Sequence, residues 1–296
     1  MLINRLAIIG VGLIGGSLAR ALRRKRACGR IIGFGRDLEN LKKAVALKVI
    51  DEYSLTVANA VKEADMVVLA TPLATTETLL RTMRGYLQDD VIITDVGSAK
   101  ASVVEAARAT LDKLLPHFVP GHPIAGKEQS GVEASSADLF EAHRVILTPL
   151  PETAVNALDT VTRMWELCGA EVVQLDVEHH DEILAATSHL PHLLAYALVD
   201  CLAGMRERDE LFRFAAGGFA DFTRIASSHP RMWHDICFAN RRQLLRVLDN
   251  FGGHLDNIRQ AIENGESDAL LQIFTRAKET RDRFTEMRNR RNDSTE

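Results

Sequence analysis

Residues 6–17 read LAIIGVGLIGGS, an apolar run that passes directly into the pattern GxGxxG. The run predicts a β-strand, and the spacing of apolar residues after it predicts a helix over Leu13–Arg24. In this context Gly10 permits a tight turn, Gly12 permits close approach of a pyrophosphate, and Gly15 permits the helix to pack on the strand. The sequence therefore predicts a phosphate-binding loop at a helix N-terminus, and the alternative is a glycine-rich turn without a ligand.

Short apolar runs alternate with helical stretches through about residue 175. Buried parallel strands are continuous apolar runs joined by helices, so this alternation predicts a parallel sheet covered on both faces. The strands are expected at Leu6–Gly10, Ile31–Phe34, Met66–Ala70, Val91–Val96, His117–Pro120, Val145–Thr148 and Val172–Leu175.

The strand pattern stops after about residue 176, and amphipathic helical spacing replaces it. Gly252-Gly253 are expected to break one of these helices, and Gly265 is expected to end the next. The predicted fold class is therefore α/β: a Rossmann-type dinucleotide-binding domain with a parallel sheet at residues 1–175, then an all-α domain at 176–296. The long amphipathic faces of the second domain predict a homodimer formed through it.

Composition excludes several classes of partner. The 296 residues carry 36 basic and 40 acidic side chains, a net charge of −4, which argues against nucleic acid or an anionic membrane bound by bulk charge. No apolar stretch reaches the roughly 18 residues of a membrane-spanning helix. The four cysteines form no CxxC pair, which predicts free thiols, a reducing compartment and a cytoplasmic location.

The end of the second predicted strand bears on the choice of cofactor. An acidic residue there would bond the ribose of NAD, but the position is Gly35 and the next residue is Arg36, which suits a 2′-phosphate. This favours NADP; the neighbouring Asp37 keeps NAD open, with Arg36 then a solvated turn residue. The residues expected to contact the cofactor are Gly10, Gly12, Leu13, Ile14, Gly15, Gly35, Arg36, Thr71, Pro72 and Ser98.

Ser98 and His122 follow the fourth and fifth predicted strands. Ligands of open parallel sheets bind beyond the carboxyl ends of the strands, so we expect both side chains beside the cofactor. An imidazole there could accept the proton of a substrate hydroxyl as hydride leaves the same carbon, and Ser98 could bond both groups. The alternative for His122 is a bond to a loop carbonyl.

Further polar residues cluster in the helical half. Pro191 is expected to kink a helix that also carries Ser188, His189 and His192. The two histidines could belong to a zinc site, but no third ligand is evident. The remaining interpretations are that these residues bind a carboxylate, or that they cap the helix and form hydrogen bonds in the core. Arg224 could hold a substrate carboxylate or pair with Asp221 on a helix surface. Trp233 is more typical of a core than of a ligand-stacking position.

Seven motifs, in order, resemble the prephenate and arogenate (cyclohexadienyl) dehydrogenases of tyrosine biosynthesis. They span nearly the whole chain: GVGLIGGS (10–17), ATP (70–72), DVGSAK (95–100), GHPIAGKEQSGVEAS (121–135), SHLPH (188–192), GGFADFTRIA (217–226) and MWHDI (232–236). The resemblance implies oxidative decarboxylation, with hydride transfer to NAD(P)+ from the ring carbon that bears the hydroxyl.

The resemblance also implies roles for individual residues. His122 matches the catalytic histidine and Ser98 the serine that orients it, while Arg224 matches the arginine that holds the ring carboxylate. The segment with Ser188, His189 and His192 matches the substrate side-chain region, and Trp233 matches a tryptophan that a partner subunit can contribute. Glu128 and Asp221 resemble a polar pair near the entrance.

Lys127 departs from the small hydroxyl residue that is common in the family, and the added cation is expected to favour prephenate over the zwitterionic arogenate. Two other functions remain as alternatives. One is a two-domain 3-hydroxy-acid dehydrogenase with a lysine base, for which Lys278 is the only lysine after Lys127. The other is a non-catalytic NAD(P)-binding regulator.

Overall fold

The computed structural model describes residues 1–126 and 129–293. The nine strands among them are β1 Ile3–Ile9, β2 Cys28–Phe34, β3 Glu52–Ser54, β4 Met66–Leu69, β5 Ile92–Asp95, β6 Phe118–Val119, β7 Gly121–Pro123, β8 Arg144–Leu147 and β9 Glu171–Gln174. The helices are α1 Leu13–Arg24, α2 Leu38–Ala46, α3 Val57–Val61, α4 Thr76–Met83, α5 Ala101–Thr110, α6 Val155–Leu167, α7 Val177–Leu184, α8 Leu190–Ala203, α9 Arg208–Phe214, α10 Gly217–Thr223, α11 Pro230–Ala239, α12 Arg241–Glu263 and α13 Ser267–Asp293.

The first sheet has six parallel strands in the order β3-β2-β1-β4-β5-β6, which is the Rossmann order. Alternate residues of β1 enter different cores: Leu6 and Ile8 pack on one face of the sheet, and Ala7 and Ile9 pack on the other. Because both faces are covered, the strands read as continuous apolar runs. The predicted fold class, a Rossmann-type domain followed by helices, is confirmed.

A second, three-stranded sheet was not predicted. Its order is β7-β8-β9, with β7 antiparallel to β8 and β8 parallel to β9. The sequence pattern had assigned all these strands to one parallel sheet and had placed His122 after the fifth strand, whereas His122 lies inside β7. Pro120 separates the two sheets because it lacks the N–H needed to continue the β6 ladder, and its carbonyl accepts a bond from Thr148 N at 2.9 Å.

The helical part differs from the prediction at two points. α12 continues through Gly252-Gly253, because glycine costs only about 1 kcal/mol each relative to alanine and the helix is 23 residues long. The expected kink near Pro191 takes the form of a π-helical turn, Ala185–His189, before α8. Gly265, with φ +68°, ends α12 as predicted.

By contact density the chain divides into two compact units, Met1–Leu244 and Leu245–Glu296. The predicted division at residue 175 is a different partition, based on element type, and it stays a prediction. In the part of the chain that the structure describes, no helix is both long and apolar enough to cross a membrane. All four cysteines are free thiols.

Candidate active site

The glycine loop between β1 and α1 has the geometry that a pyrophosphate needs. Gly10 has φ +105°, and a Cβ added there would lie 2.3 Å from Ala70 O; a Cβ on Gly15 would lie 2.3 Å from Gly10 O. A Cβ on Gly12 would instead meet no atom within 4 Å. Packing within the protein therefore does not require glycine at this position, and the open space is available to a ligand. The residues therefore fit a dinucleotide cofactor.

The N-terminus of α1 supplies donors for that anion. Gly12 is its N-cap, no side chain caps the helix, and its first turn contains no acidic residue. The first backbone N–H groups, including those of Leu13 and Ile14, have no partner within the helix. Thr71 lies beside this loop, because a Cβ on Gly10 would lie 3.0 Å from the Thr71 methyl group.

The turn after β2 presents a cation directly after the position that would bond a ribose. Gly35 follows the strand and Arg36 is exposed. Asp37 is occupied locally: its carboxylate accepts the Asn40 N–H at 3.1 Å as the N-cap of α2. Asn40 also joins two loops, since its amide donates to Val11 O at 2.7 Å and accepts from Val132 N at 3.1 Å.

A fully buried ion pair joins the two sheets. Lys100 Nζ donates to Asp95 Oδ2 at 2.5 Å and to Gly121 O at 2.7 Å, while Asp95 accepts from Gly97 N at 2.7 Å and Gly121 N at 3.1 Å. Burial lowers the pKa of Lys100, and the charge of Asp95 opposes that shift. These contacts fix the first residue of β7, and hence His122, beside the carboxyl end of β5, where Ser98 also lies.

His122 is buried and bonded through one ring nitrogen. Its Nδ1 lies 2.9 Å from His180 Nε2, and His180 Nδ1 lies 2.8 Å from Asp181 Oδ1. Burial, reinforced by His180, Lys100 and His189, lowers the pKa of His122 well below its usual value. The imidazole is therefore neutral near pH 7, and among the described residues Nε2 has no hydrogen-bond partner, which leaves it for a ligand.

His189 is linked to Asp181 through the side chain of Asn240. Its Nδ1 lies 3.1 Å from the amide nitrogen of Asn240, which also donates to Asp181 O at 2.7 Å. Burial lowers the pKa of His189 to about 4, and a contact with the Ser98 main chain opposes this shift. Its Nε2 is buried and makes no regular hydrogen bond among the described residues. A neutral donor at this point suits a polar ligand group.

His192 and Trp233 form a stacked pair, with ring centroids 3.6 Å apart. His192 Nδ1 donates to Ser188 O at 2.9 Å, so Nε2 is its free acceptor. Burial lowers the pKa of His192, and the charge of Arg224 adds to the effect. Trp233 is 8% exposed within its own chain.

Some of the predicted site residues lie close together: His189 is near Ser98, and His192 is near Trp233 and Arg224. The helix that carries Trp233, α11, packs against Leu73–Thr75, directly after Thr71 and Pro72. Arg224 and Asp221 are exposed. Lys127 and Glu128 lie outside the described residues.

Sequence reasoning missed five residues that organise the site: Asp95, Lys100, His180, Asp181 and Asn240. Asp95 and Lys100 lie in the motif DVGSAK, in which the sequence pattern indicates a role for Ser98 alone. The sequence signal for His180 and Asp181 is that the two ionisable residues are adjacent, because a charged residue is rarely fully buried unless it is paired. Nothing in the local sequence of Asn240 indicates its role.

The chain matches known proteins along most of its length. Residues 18–174 match the family model of the prephenate dehydrogenase nucleotide-binding domain, and residues 176–276 match that of the prephenate dehydrogenase dimerization domain.

Two of the curated relatives that cover 94% of this chain illustrate the match. A cyclohexadienyl dehydrogenase of Zymomonas mobilis is 39% identical over 282 residues, 95% of its own length. A prephenate dehydrogenase of Bacillus subtilis is 38% identical over 284 residues, 76% of its own length. A crystal structure of prephenate dehydrogenase from A. aeolicus, in complex with hydroxyphenyl propionate and NAD+, has a TM-score of 0.88 and 37% identity and covers 95% of this chain and 98% of that one. The chain therefore belongs to the prephenate dehydrogenase family.

Proposed function

We propose that the protein oxidatively decarboxylates prephenate to 4-hydroxyphenylpyruvate, arogenate to tyrosine, or both, with NAD(P)+ as acceptor in L-tyrosine biosynthesis. The observation that carries this proposal is His122: a neutral, buried imidazole with a free Nε2, held beside the carboxyl end of β5 and oriented by His180. A neutral imidazole is the form that can accept a proton.

The residues of the chain would act as follows. His122 Nε2 accepts the hydrogen bond of the ring hydroxyl and takes its proton, and Ser98 orients both groups. When bound, the cofactor accepts the hydride that leaves the hydroxyl-bearing carbon. The bond from the ring to the carboxyl carbon then breaks, CO2 leaves, and its electron pair completes the aromatic ring. The proton returns from His122 to the phenolate oxygen of the product.

We assign the ring carboxylate to Arg224, and the substrate side chain to Ser188, His189 and His192. A guanidinium offers two parallel N–H groups to a carboxylate, which suits Arg224 to this role. Neutral His189 and His192 supply hydrogen-bonding groups without a second fixed charge. Trp233 stacks on His192 in its own chain and so supports the same region.

NADP is the favoured cofactor in this proposal. The position that would bond a ribose is Gly35, Arg36 is exposed beside it, and the carboxylate of Asp37 accepts the Asn40 N–H as the N-cap of α2. Prephenate is the favoured substrate, because the cation of Lys127 would oppose the ammonium group of arogenate. Lys127→Thr is then expected to lower the ratio of kcat/KM for prephenate to that for arogenate.

The test is an assay of both substrates with both cofactors, followed at the absorbance of the reduced nicotinamide. His122→Asn is expected to lower kcat by about 10²–10⁴ with cofactor affinity nearly unchanged. Arg224→Ala is expected mainly to raise KM. No turnover in any of the four combinations would refute the enzyme proposal in favour of a binding protein, and full activity of either variant would remove that residue from the mechanism.

We also propose a cytoplasmic homodimer assembled through residues 176–296. The match to a dimerization domain supports it, as do the exposed apolar side chains Leu271, Phe274 and Phe284 on α13. Light scattering that gave the mass of a monomer would refute the dimer.

The alternative 3-hydroxy-acid dehydrogenase gains no support from Lys278, which is exposed and bonded to Asp282 at 2.5 Å.

A further inference from the structure

Three buried side chains form a continuous hydrogen-bonded chain behind the ring of His122. Asp181 Oδ1 lies 2.8 Å from His180 Nδ1, and His180 Nε2 lies 2.9 Å from His122 Nδ1. His180 is fully buried and Asp181 is 1% exposed, so water cannot replace either partner. The direction of every proton in this chain therefore follows from its end at Asp181.

The end at Asp181 is a fixed acceptor. Its carboxylate accepts the backbone N–H of Lys100 at 2.7 Å and of Ala101 at 2.9 Å, at the start of α5. Burial alone would raise the pKa of Asp181, but the hydrogen bonds from His180 and from these two N–H groups outweigh burial and lower it. The group is ionised near pH 7, and an ionised carboxylate has no proton to donate.

The proton positions follow in order. Because Asp181 only accepts, His180 Nδ1 carries a hydrogen and donates it. Burial lowers the pKa of His180 despite its bond to Asp181, so His180 is neutral near pH 7 and its Nε2 is bare. His122 Nδ1 must therefore carry the hydrogen of the next bond, and His122 Nε2 keeps its lone pair. The opposite tautomers would bring two donors or two acceptors face to face in a buried site, at a cost of about 1–3 kcal/mol for each unsatisfied group.

We propose that His180 and Asp181 are positioning residues that hold His122 in the tautomer with its proton on Nδ1, so that Nε2 is always the base. This inference rests on the proposed function, in which Nε2 takes the hydroxyl proton. As that proton arrives, His122 becomes a cation with Asp181 at the far end of the chain to stabilise it, and no proton needs to leave His180.

Among the residues that the structure describes, Lys100 and His189 are the other charged or titratable groups that act on His122. Lys100 bonds Asp95 and Gly121, and His189 bonds Asn240. Neither is hydrogen-bonded to a ring nitrogen of His122, so tautomer control passes through His180.

The test compares two substitutions of His180. In His180→Gln the amide oxygen can accept from His122 Nδ1 and preserve the tautomer, whereas His180→Leu removes the acceptor. We expect kcat of His180→Leu to fall by about 10²–10⁴ and kcat of His180→Gln to stay within about tenfold of the unchanged enzyme, with similar cofactor affinity in both. Equal losses in the two variants, or full activity of His180→Leu, would overturn the proposal.

A second readout does not depend on turnover. Nitrogen NMR of the histidine-labelled protein should show His122 with Nδ1 protonated and Nε2 bare, a pattern that His180→Gln keeps and His180→Leu loses. A proton on Nε2 in the unchanged protein would refute the inference. Absence of turnover with every substrate and cofactor would refute the proposed function and leave this NMR result intact, so the two failures are distinguishable.

Discussion

Gly12→Ala should separate cofactor binding from folding. Its backbone, at φ −101° and ψ −150°, is extended, and an added Cβ meets no atom within 4 Å. Alanine should therefore change the free energy of unfolding by no more than about 0.5 kcal/mol. The methyl group would fill the space that a pyrophosphate needs, and each lost charge-assisted hydrogen bond costs about 1.5–3 kcal/mol. Loss of one such bond predicts a cofactor Kd raised by about 10- to 150-fold.

Gly15→Ala is the matched control in the same loop. Its Cβ would lie 2.3 Å from Gly10 O and 2.8 Å from the Ile8 side chain, so the backbone must shift. The expected cost is about 1–3 kcal/mol of stability. Urea unfolding and calorimetric titration with NAD+ and NADP+ give the two quantities for each variant. Unchanged cofactor affinity in Gly12→Ala, or a loss of its stability equal to that of Gly15→Ala, would refute the assignment of the loop.

Two further predictions concern buried charge. Lys100→Met should cost about 3–5 kcal/mol because it leaves Asp95 buried without its cation. Lys113→Met, in an exposed pair with Asp89, should leave the urea midpoint nearly unchanged, and equal midpoints for the two variants would contradict this. Burial lowers the pKa of His189 to about 4, so below pH 6.5 the unfolded chain binds a proton that the folded chain does not, and stability should fall by up to about 3 kcal/mol between pH 6.5 and 4. His189→Gln should flatten this fall, and an unchanged acid slope in unfolding measurements would show that His189 does not cause it.

The elements predicted from the sequence are those that form because of their own local residue pattern. β1, β2, β4 and β5 are apolar runs that read the same in any buried parallel sheet, and α1 begins and ends at its predicted residues. β3 was missed because two of its three residues, Glu52 and Ser54, are polar and because the strand lies at the edge of the sheet. Such a strand forms because the neighbouring strand β2 supplies backbone hydrogen-bonding partners, and the local sequence pattern of β3 does not record them.

β7 and the chain of buried residues behind His122 could not be predicted for a related reason. Gly-His-Pro has no strand propensity, and β7 forms only because β8 pairs with it. His122 and His180 are 58 positions apart, and their contact depends on how α7 packs. The sequence analysis proposed His122 and Ser98 as site residues because they follow predicted strands, whereas the partners of His122 required the assembled fold.

The buried pair Asp95–Lys100 is best understood as a device for position. In the ladder between β7 and β8, Pro120 O accepts from Thr148 N, Ile124 N donates to Arg144 O, and His122 is paired with Ile146. The N–H and C=O of Gly121 are thereby left to Asp95 and Lys100, which satisfy both. An apolar pair of similar size could equal the stability of an ion pair, but it would leave both groups of Gly121 unsatisfied. The ion pair therefore holds β7, the strand that carries His122, at the carboxyl end of β5. No strand pairing joins β5 and β7, which belong to different sheets.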